Sequence, residues 1–76
     1  MRKAYLNQLE KIFKKVMGTN EFRDDFSMGS LPNWDSLKHV ELLTEIEEQL
    51  GIDIDMPDIM KMTSVSAIKR VLKDYI

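Results

Sequence analysis

Apolar side chains recur at spacings of three and four over residues 2–17: Tyr5, Leu6, Leu9, Ile12, Phe13, Val16 and Met17 share one side of a helical wheel. The pattern predicts an amphipathic helix stopped at Gly18, a residue that tolerates the positive φ of a helix C-terminus. A second helix is predicted over 35–50. Leu37, Val40, Leu43, Ile46 and Leu50 make its stripe with Leu42 beside it, and Glu41, Glu45, Glu47, Glu48 and Gln49 fill much of the rest. Asp35 is placed to cap this helix and Gly51 to close it. A last helix follows Thr63 or Ser64, either of which is a cap, with Val65, Ile68, Val71, Leu72 and Tyr75 facing inward.

Two stretches break the periodicity. Gly, Asn, Ser and Pro punctuate residues 18–34, which read as a loop. Phe22, Phe26, Met28 and Leu31 are too apolar for a free linker, so the loop is expected to be pinned to the core. In "IDIDMPDIMKM" the alternation of Ile52, Asp53, Ile54 and Asp55 imitates a strand. A single short strand has no partner to pair with, and Pro57 fits the first turn of a short helix reaching about Lys61. The fold class is therefore all-α: one domain over residues 1–76, a small four-helix bundle of three main helices and one short one, with a long loop after the first.

A chain of 76 residues buries a modest core and has little material for the walls of a deep active-site cleft. That moves the expectation from enzyme toward binding or carrier module. There is no cysteine, so neither a disulfide nor a thiolate zinc site supports the fold. No apolar run reaches the roughly 20 residues that span a bilayer, and "MRKAYLNQLEKIFKK" lacks the uninterrupted apolar stretch of a secretory signal. A cytoplasmic monomer is expected.

The net charge of −2 is unevenly spread: +4 over residues 1–16, −2 over 17–34, −7 over 35–58 and +3 over 59–76. An acidic centre makes nucleic acid a poor partner, because phosphate backbones need Lys and Arg. It suits a partner with a basic surface.

Most candidate chemistry has an ordinary structural reading. Ser36 and His39 share one side of a helix, yet the sequence supplies no oxyanion hole, orienting acid or pocket for nucleophilic catalysis. His39 then reads as a surface residue or part of a partner contact. Asp53, Asp55 and Asp58 resemble a fragment of a calcium loop but lack its glycine and distal bidentate Glu, so no metal site is expected. The six methionines fit core filling or a soft apolar groove. Ser36 itself falls at the first helical position with Asp35 already offering the cap. A phosphate there would meet unpaired N–H groups and the positive end of the helix dipole.

The run "LPNWDSLKHVELLTEIEEQLGIDI", residues 31–54, resembles the phosphopantetheine-carrying segment of acyl carrier proteins. The matching elements are Asp35-Ser36-Leu37 at a helix start, Val40-Glu41-Leu42, and the Glu47-Glu48 pair. The stretch "MTSVSAIKRVLKDYI", residues 62–76, resembles the family's closing helix, while the first helix matches in pattern only.

The resemblance implies a non-enzymatic carrier. Ser36 receives 4′-phosphopantetheine from coenzyme A through a separate phosphopantetheinyl transferase, and acyl groups travel as thioesters on the arm. Asp35 assists at the transferase's metal ion as well as capping. Leu37, Glu41, Glu47 and Glu48 lie on the docking surface for acyl-loading and acyl-transferring enzymes with basic surfaces. Val40, Ile54, Ile59 and Met62 line an apolar interior that shelters the acyl chain. The chain departs from the family's common pattern at Asn33-Trp34, where a glycine-containing approach is usual, and at Lys38-His39, where an acid is usual. Trp34, Lys38 and His39 are accordingly assigned to partner choice. They point to a specialised lipid or natural-product pathway, with an aminoacyl or peptidyl carrier as the alternative. A helical interaction module without a prosthetic group, using the acidic helix to bind a basic partner, is the remaining reading.

Overall fold

The computed structural model describes residues 4–75 and contains four helices: α1 Ala4–Met17, α2 Ser36–Leu50, α3 Met56–Lys61 and α4 Val65–Leu72. The expected start of the first helix at Arg2 lies outside the described residues. Leu9, Ile12, Phe13, Val16 and Met17 of α1 are buried together with Leu42, Leu43 and Ile46 of α2 and Val65, Ile68 and Leu72 of α4. The helices thus surround one core, as small all-α domains must to hide their apolar stripes.

The long loop is anchored as its apolar residues predict. Phe22 and Phe26 set their rings 5.2 and 6.2 Å from that of Phe13. Met28 and Leu31 also pack against the core. Two backbone hydrogen bonds tie the loop to the start of α4: Met28 N–H donates to the Thr63 carbonyl and Val65 N–H to the Phe26 carbonyl, both at 3.0 Å. Ser64 is the cap of α4, its hydroxyl accepting from Ala67 N–H at 3.1 Å.

The expected stripe of α2 requires correction. Leu37 and Val40 are 78% and 60% exposed, and the buried set is His39, Leu42, Leu43 and Ile46. Those four follow the i, i+3, i+4, i+7 pattern of a core-facing stripe. The helix is turned relative to the simple apolar count because an imidazole, rather than Leu37 or Val40, occupies the core at its first turns. Its interior partner is Trp34, 1% exposed, whose ring meets Phe13 edge-on with centroids 5.4 Å apart.

Residues Ile52 to Asp55 alternate in and out without pairing to a second strand: Ile54 is buried, Ile52 half-buried, and Asp53 and Asp55 face solvent. The alternation is therefore real but belongs to an extended connector. Of the methionines, Met17 and Met62 fill the core, whereas Met56 and Met60 are 65% and 70% exposed.

Gly51 ends α2 with φ 67°. A Cβ there would touch nothing within 4 Å, so a side chain costs only left-handed backbone strain, about 1–2 kcal/mol. Gly51→Ala is expected to lower the thermal midpoint by roughly 4–8 °C for each kcal/mol lost, read by circular dichroism. An unchanged midpoint would show that the left-handed turn is dispensable.

The short helix α3 has no fully buried residue. Six residues do not make a helix stable alone, so its position is set by its attachments. The Glu47 carboxylate accepts from Ile54 N–H at 2.8 Å, just before the helix. Tyr75 donates its hydroxyl to the Asp58 carboxylate and accepts from Asp55 N–H at 3.2 Å. The hydrogen bond to Asp58 holds the Tyr75 hydroxyl above its ordinary pKa, because it stabilises the protonated, donating form. The third attachment, from His39, belongs to the site.

Candidate functional site

Ser36 opens α2 and is exposed. Asp35 precedes it as N-cap, with extended backbone at φ −103°, and its carboxylate accepts from Lys38 N–H at 2.8 Å. The Asp35 carbonyl accepts from His39 N–H at 2.8 Å. Among the described residues the Ser36 hydroxyl has no hydrogen-bond partner in the protein, and neither have the N–H groups of Ser36 and Leu37. These are the orphan donors of a helix start. The capping task falls to Asp35, and the serine hydroxyl is left free.

Beside Ser36 the surface is apolar. Leu37 follows it directly, and Val40 lies one turn on, at the i+4 position that shares its face. Val40, Leu43 and Thr44 of α2 meet Met56 and Ile59 of α3 around a cleft of about 200 Å³, with Glu47 at its wall. Of the four residues expected to line an acyl shelter, Val40 and Ile59 stand on this cleft. Ile54 and Met62 do not: they are buried in the core behind the cleft. Leu43, Thr44 and Met56 line the cleft as well; Met56 is among the methionines read as core filling or a soft apolar groove, whereas Leu43 reads only as part of the α2 stripe and Thr44 carries no signal in the sequence.

Trp34 and His39 are not on a docking surface. Trp34 is 1% exposed and His39 7%. Trp34 Nε1–H donates to His39 Nδ1 at 3.1 Å, and the rings lie 6.0 Å apart at 35°. An indole N–H only donates, so Nδ1 is the acceptor and the neutral ring carries its proton on Nε2. Nε2–H in turn donates to the Ile59 carbonyl, 2.9 Å away on α3. Both imidazole nitrogens are engaged, which removes His39 as a base for Ser36. Their burial follows from this pairing: each polar atom is satisfied inside, so the rings contribute apolar packing without an orphaned donor or acceptor.

The acids divide likewise. Glu41 and Glu48 are exposed. Glu41 forms a 3.5 Å ion pair with Lys38 one turn back, a contact that contributes little at a solvated surface. Glu47 is half-buried and turned onto Ile54 N–H, so its carboxylate is less available to a partner than those of Glu41 and Glu48. No group of three or more His, Cys, Asp or Glu side chains stands ready to hold a metal ion among the described residues. No helix there is long and apolar enough to cross a membrane.

A free serine at a capped helix start, in a four-helix bundle, is compatible with a carrier domain. The family described as "Phosphopantetheine attachment site" matches residues 33–72, from the turn before Asp35 to the end of α4, and the chain belongs to it. As a member of that family it is a carrier rather than a catalyst, and its prosthetic group is covalent 4′-phosphopantetheine. The fold is also that of a holo acyl carrier protein from Geobacter metallireducens solved in solution, with TM-score 0.78, 22% identity, and coverage of 91% of this chain and 82% of that one. No curated protein matches. The residues present fit the group: an accessible hydroxyl to esterify, and two unpaired N–H groups and a helix dipole for the phosphodiester.

Proposed function

We propose that this chain is an acyl carrier protein of a specialised lipid or natural-product pathway, with its arm on Ser36. The supporting observation is the exposed, uncommitted Ser36 hydroxyl beside a cap that Asp35 supplies alone. The arm supplies a terminal thiol that holds an acyl group as a thioester. Leu37, Lys38 and Glu41 near the serine, with Glu48 toward the far end of α2, form the docking face for the transferase and for acyl-handling enzymes with basic surfaces. Glu47 contributes to that face only through its outer edge. The cleft between α2 and α3 shelters the acyl chain; its lining is mostly aliphatic, and burying a methylene there gains about 0.8 kcal/mol.

The aminoacyl alternative drew on Trp34, Lys38 and His39 as surface features; Trp34 and His39 are interior, which leaves the half-exposed Lys38 as the surface residue that supports it. The test is intact-mass measurement after incubation with coenzyme A, Mg²⁺ and a promiscuous phosphopantetheinyl transferase. A gain equal to the arm supports the reading, and an unmodified wild-type chain overturns it.

Asp35 has separable duties. Asn caps as well as Asp, so Asp35→Asn is expected to leave the thermal midpoint within about 1 kcal/mol of stability while removing the carboxylate. Arm attachment then slows on the order of tenfold, the scale for losing a group that supports a bound metal. Equal rates for the two chains would reduce Asp35 to a cap.

A further inference from the structure

His39 is the one buried polar side chain among the described residues, and an aliphatic residue would fill its place without needing partners. What imidazole adds is a fixed link between two parts of the site. On one side Trp34, two residues before Ser36, donates to Nδ1 at 3.1 Å. On the other, Nε2–H holds the Ile59 carbonyl at 2.9 Å, and Ile59 lines the cleft. The Trp34 hydrogen bond also fixes the tautomer, so the ring always presents its donor to α3.

The other attachments of α3 act elsewhere. Glu47 binds Ile54, ahead of the helix; Tyr75 binds Asp55 and Asp58, at its first turn. His39 is the side chain that holds the later half, where Ile59 forms the cleft wall. A group that fits within about 200 Å³ leaves this wall alone. For a longer one to be enclosed beside Ile59, this stretch of α3 would shift outward, at the cost of the His39 bond to the Ile59 carbonyl.

We propose that His39 is a positioning residue that, through the Trp34–His39–Ile59 hydrogen-bond chain, sets the length of acyl chain the cleft admits. This rests on the cleft being the acyl shelter. A buried hydrogen bond contributes about 0.5–1.5 kcal/mol, or about two- to tenfold in the opening equilibrium. His39→Leu keeps the apolar volume and removes the link. His39→Gln keeps one acceptor and one donor. Trp34→Phe keeps an aromatic ring and removes only the N–H.

The experiment loads each carrier with butanoyl, octanoyl and dodecanoyl arms by transferase and measures thioester loss to hydroxylamine. In His39→Leu the protection of dodecanoyl relative to butanoyl is expected to rise about two- to tenfold. Trp34→Phe moves the same way by less, and His39→Gln stays near the wild-type chain. In the chains without an arm, α3 amide hydrogens exchange faster in His39→Leu by a similar factor. A wild-type length profile in both His39→Leu and Trp34→Phe overturns the proposal. So does an equal loss of protection at every length, which marks general loosening. Intact mass reads the arm separately: a wild-type chain that gains none overturns the carrier reading, whereas loaded variants with unchanged profiles overturn the link alone.

Discussion

Ser36→Ala is expected to abolish arm attachment completely while leaving the fold as it is. The chemical half follows from the bond that has to form: a phosphodiester needs a hydroxyl, and alanine has none. The structural half follows from the division of labour at the start of α2. Capping there is done by the Asp35 carboxylate on Lys38 N–H, and the Ser36 hydroxyl has no partner among the described residues to lose. Ala is also the best helix former, worth up to several tenths of a kcal/mol over Ser. The thermal midpoint should therefore hold or rise by a degree or two, and the mass gain with coenzyme A and transferase should vanish. A gain that persists in Ser36→Ala would move the arm to another hydroxyl. Asp35→Ala is the informative contrast, because removing a cap costs about 0.5–2 kcal/mol and leaves the hydroxyl in place.

The helices with local punctuation were legible in the sequence. Asp35, Gly51, Ser64 and Pro57 act through their own backbone neighbourhood, and each stands where its chemistry predicts. The anchored loop was legible as well, because four large apolar residues in a turn-rich stretch must be hidden somewhere. The orientation of α2 was not. Counting apolar residues favours Leu37 and Val40 over His39, and the count has no means of seeing a ring whose two nitrogens are both satisfied in the core. A signal was nonetheless present. Relative to the cap Asp35, Trp34 and His39 stand at the N′ and N4 positions, whose side chains often pack together at a helix start.

The same physics explains which site residues were misplaced. Exposure on a helix is decided by rotation, and rotation is decided by the deepest contact. Once Trp34 and His39 are inside, Leu37 and Val40 are turned out beside Ser36. Four exposed apolar side chains (Leu37, Val40, Met56 and Met60) would be an unexplained cost in an isolated small domain. Under the proposed function they form a surface for partners and cargo to cover. Two of the residues expected around an acyl chain are displaced in the same way: Ile54 and Met62 are interior, and the cleft between α2 and α3 is lined instead by residues such as Met56.

Trp34→Ala is the substitution expected to cost the fold most. Deleting a fully buried aromatic side chain costs about 3–5 kcal/mol, and the hole would open next to Phe13. His39 Nδ1 would lose its donor, and an orphaned buried acceptor adds about 1–3 kcal/mol unless water fills the vacancy. Folded domains have about 0.05–0.15 kcal/mol of stability per residue, so a chain of this length holds little more than the loss. Trp34→Ala is thus expected to be largely unfolded at ambient temperature, shown by far-ultraviolet circular dichroism and a urea transition shifted to very low denaturant. Trp34→Phe should stay folded, since it keeps the ring contact with Phe13 and gives up the N–H and part of the volume. The contrast matters for function, because loss of arm attachment in Trp34→Ala would report an unfolded substrate rather than a missing partner contact. A folded Trp34→Ala chain with a near-normal midpoint would show that this corner of the core is not what fixes α2, and with it the outward turn of Leu37 and Val40 around Ser36 would need another cause.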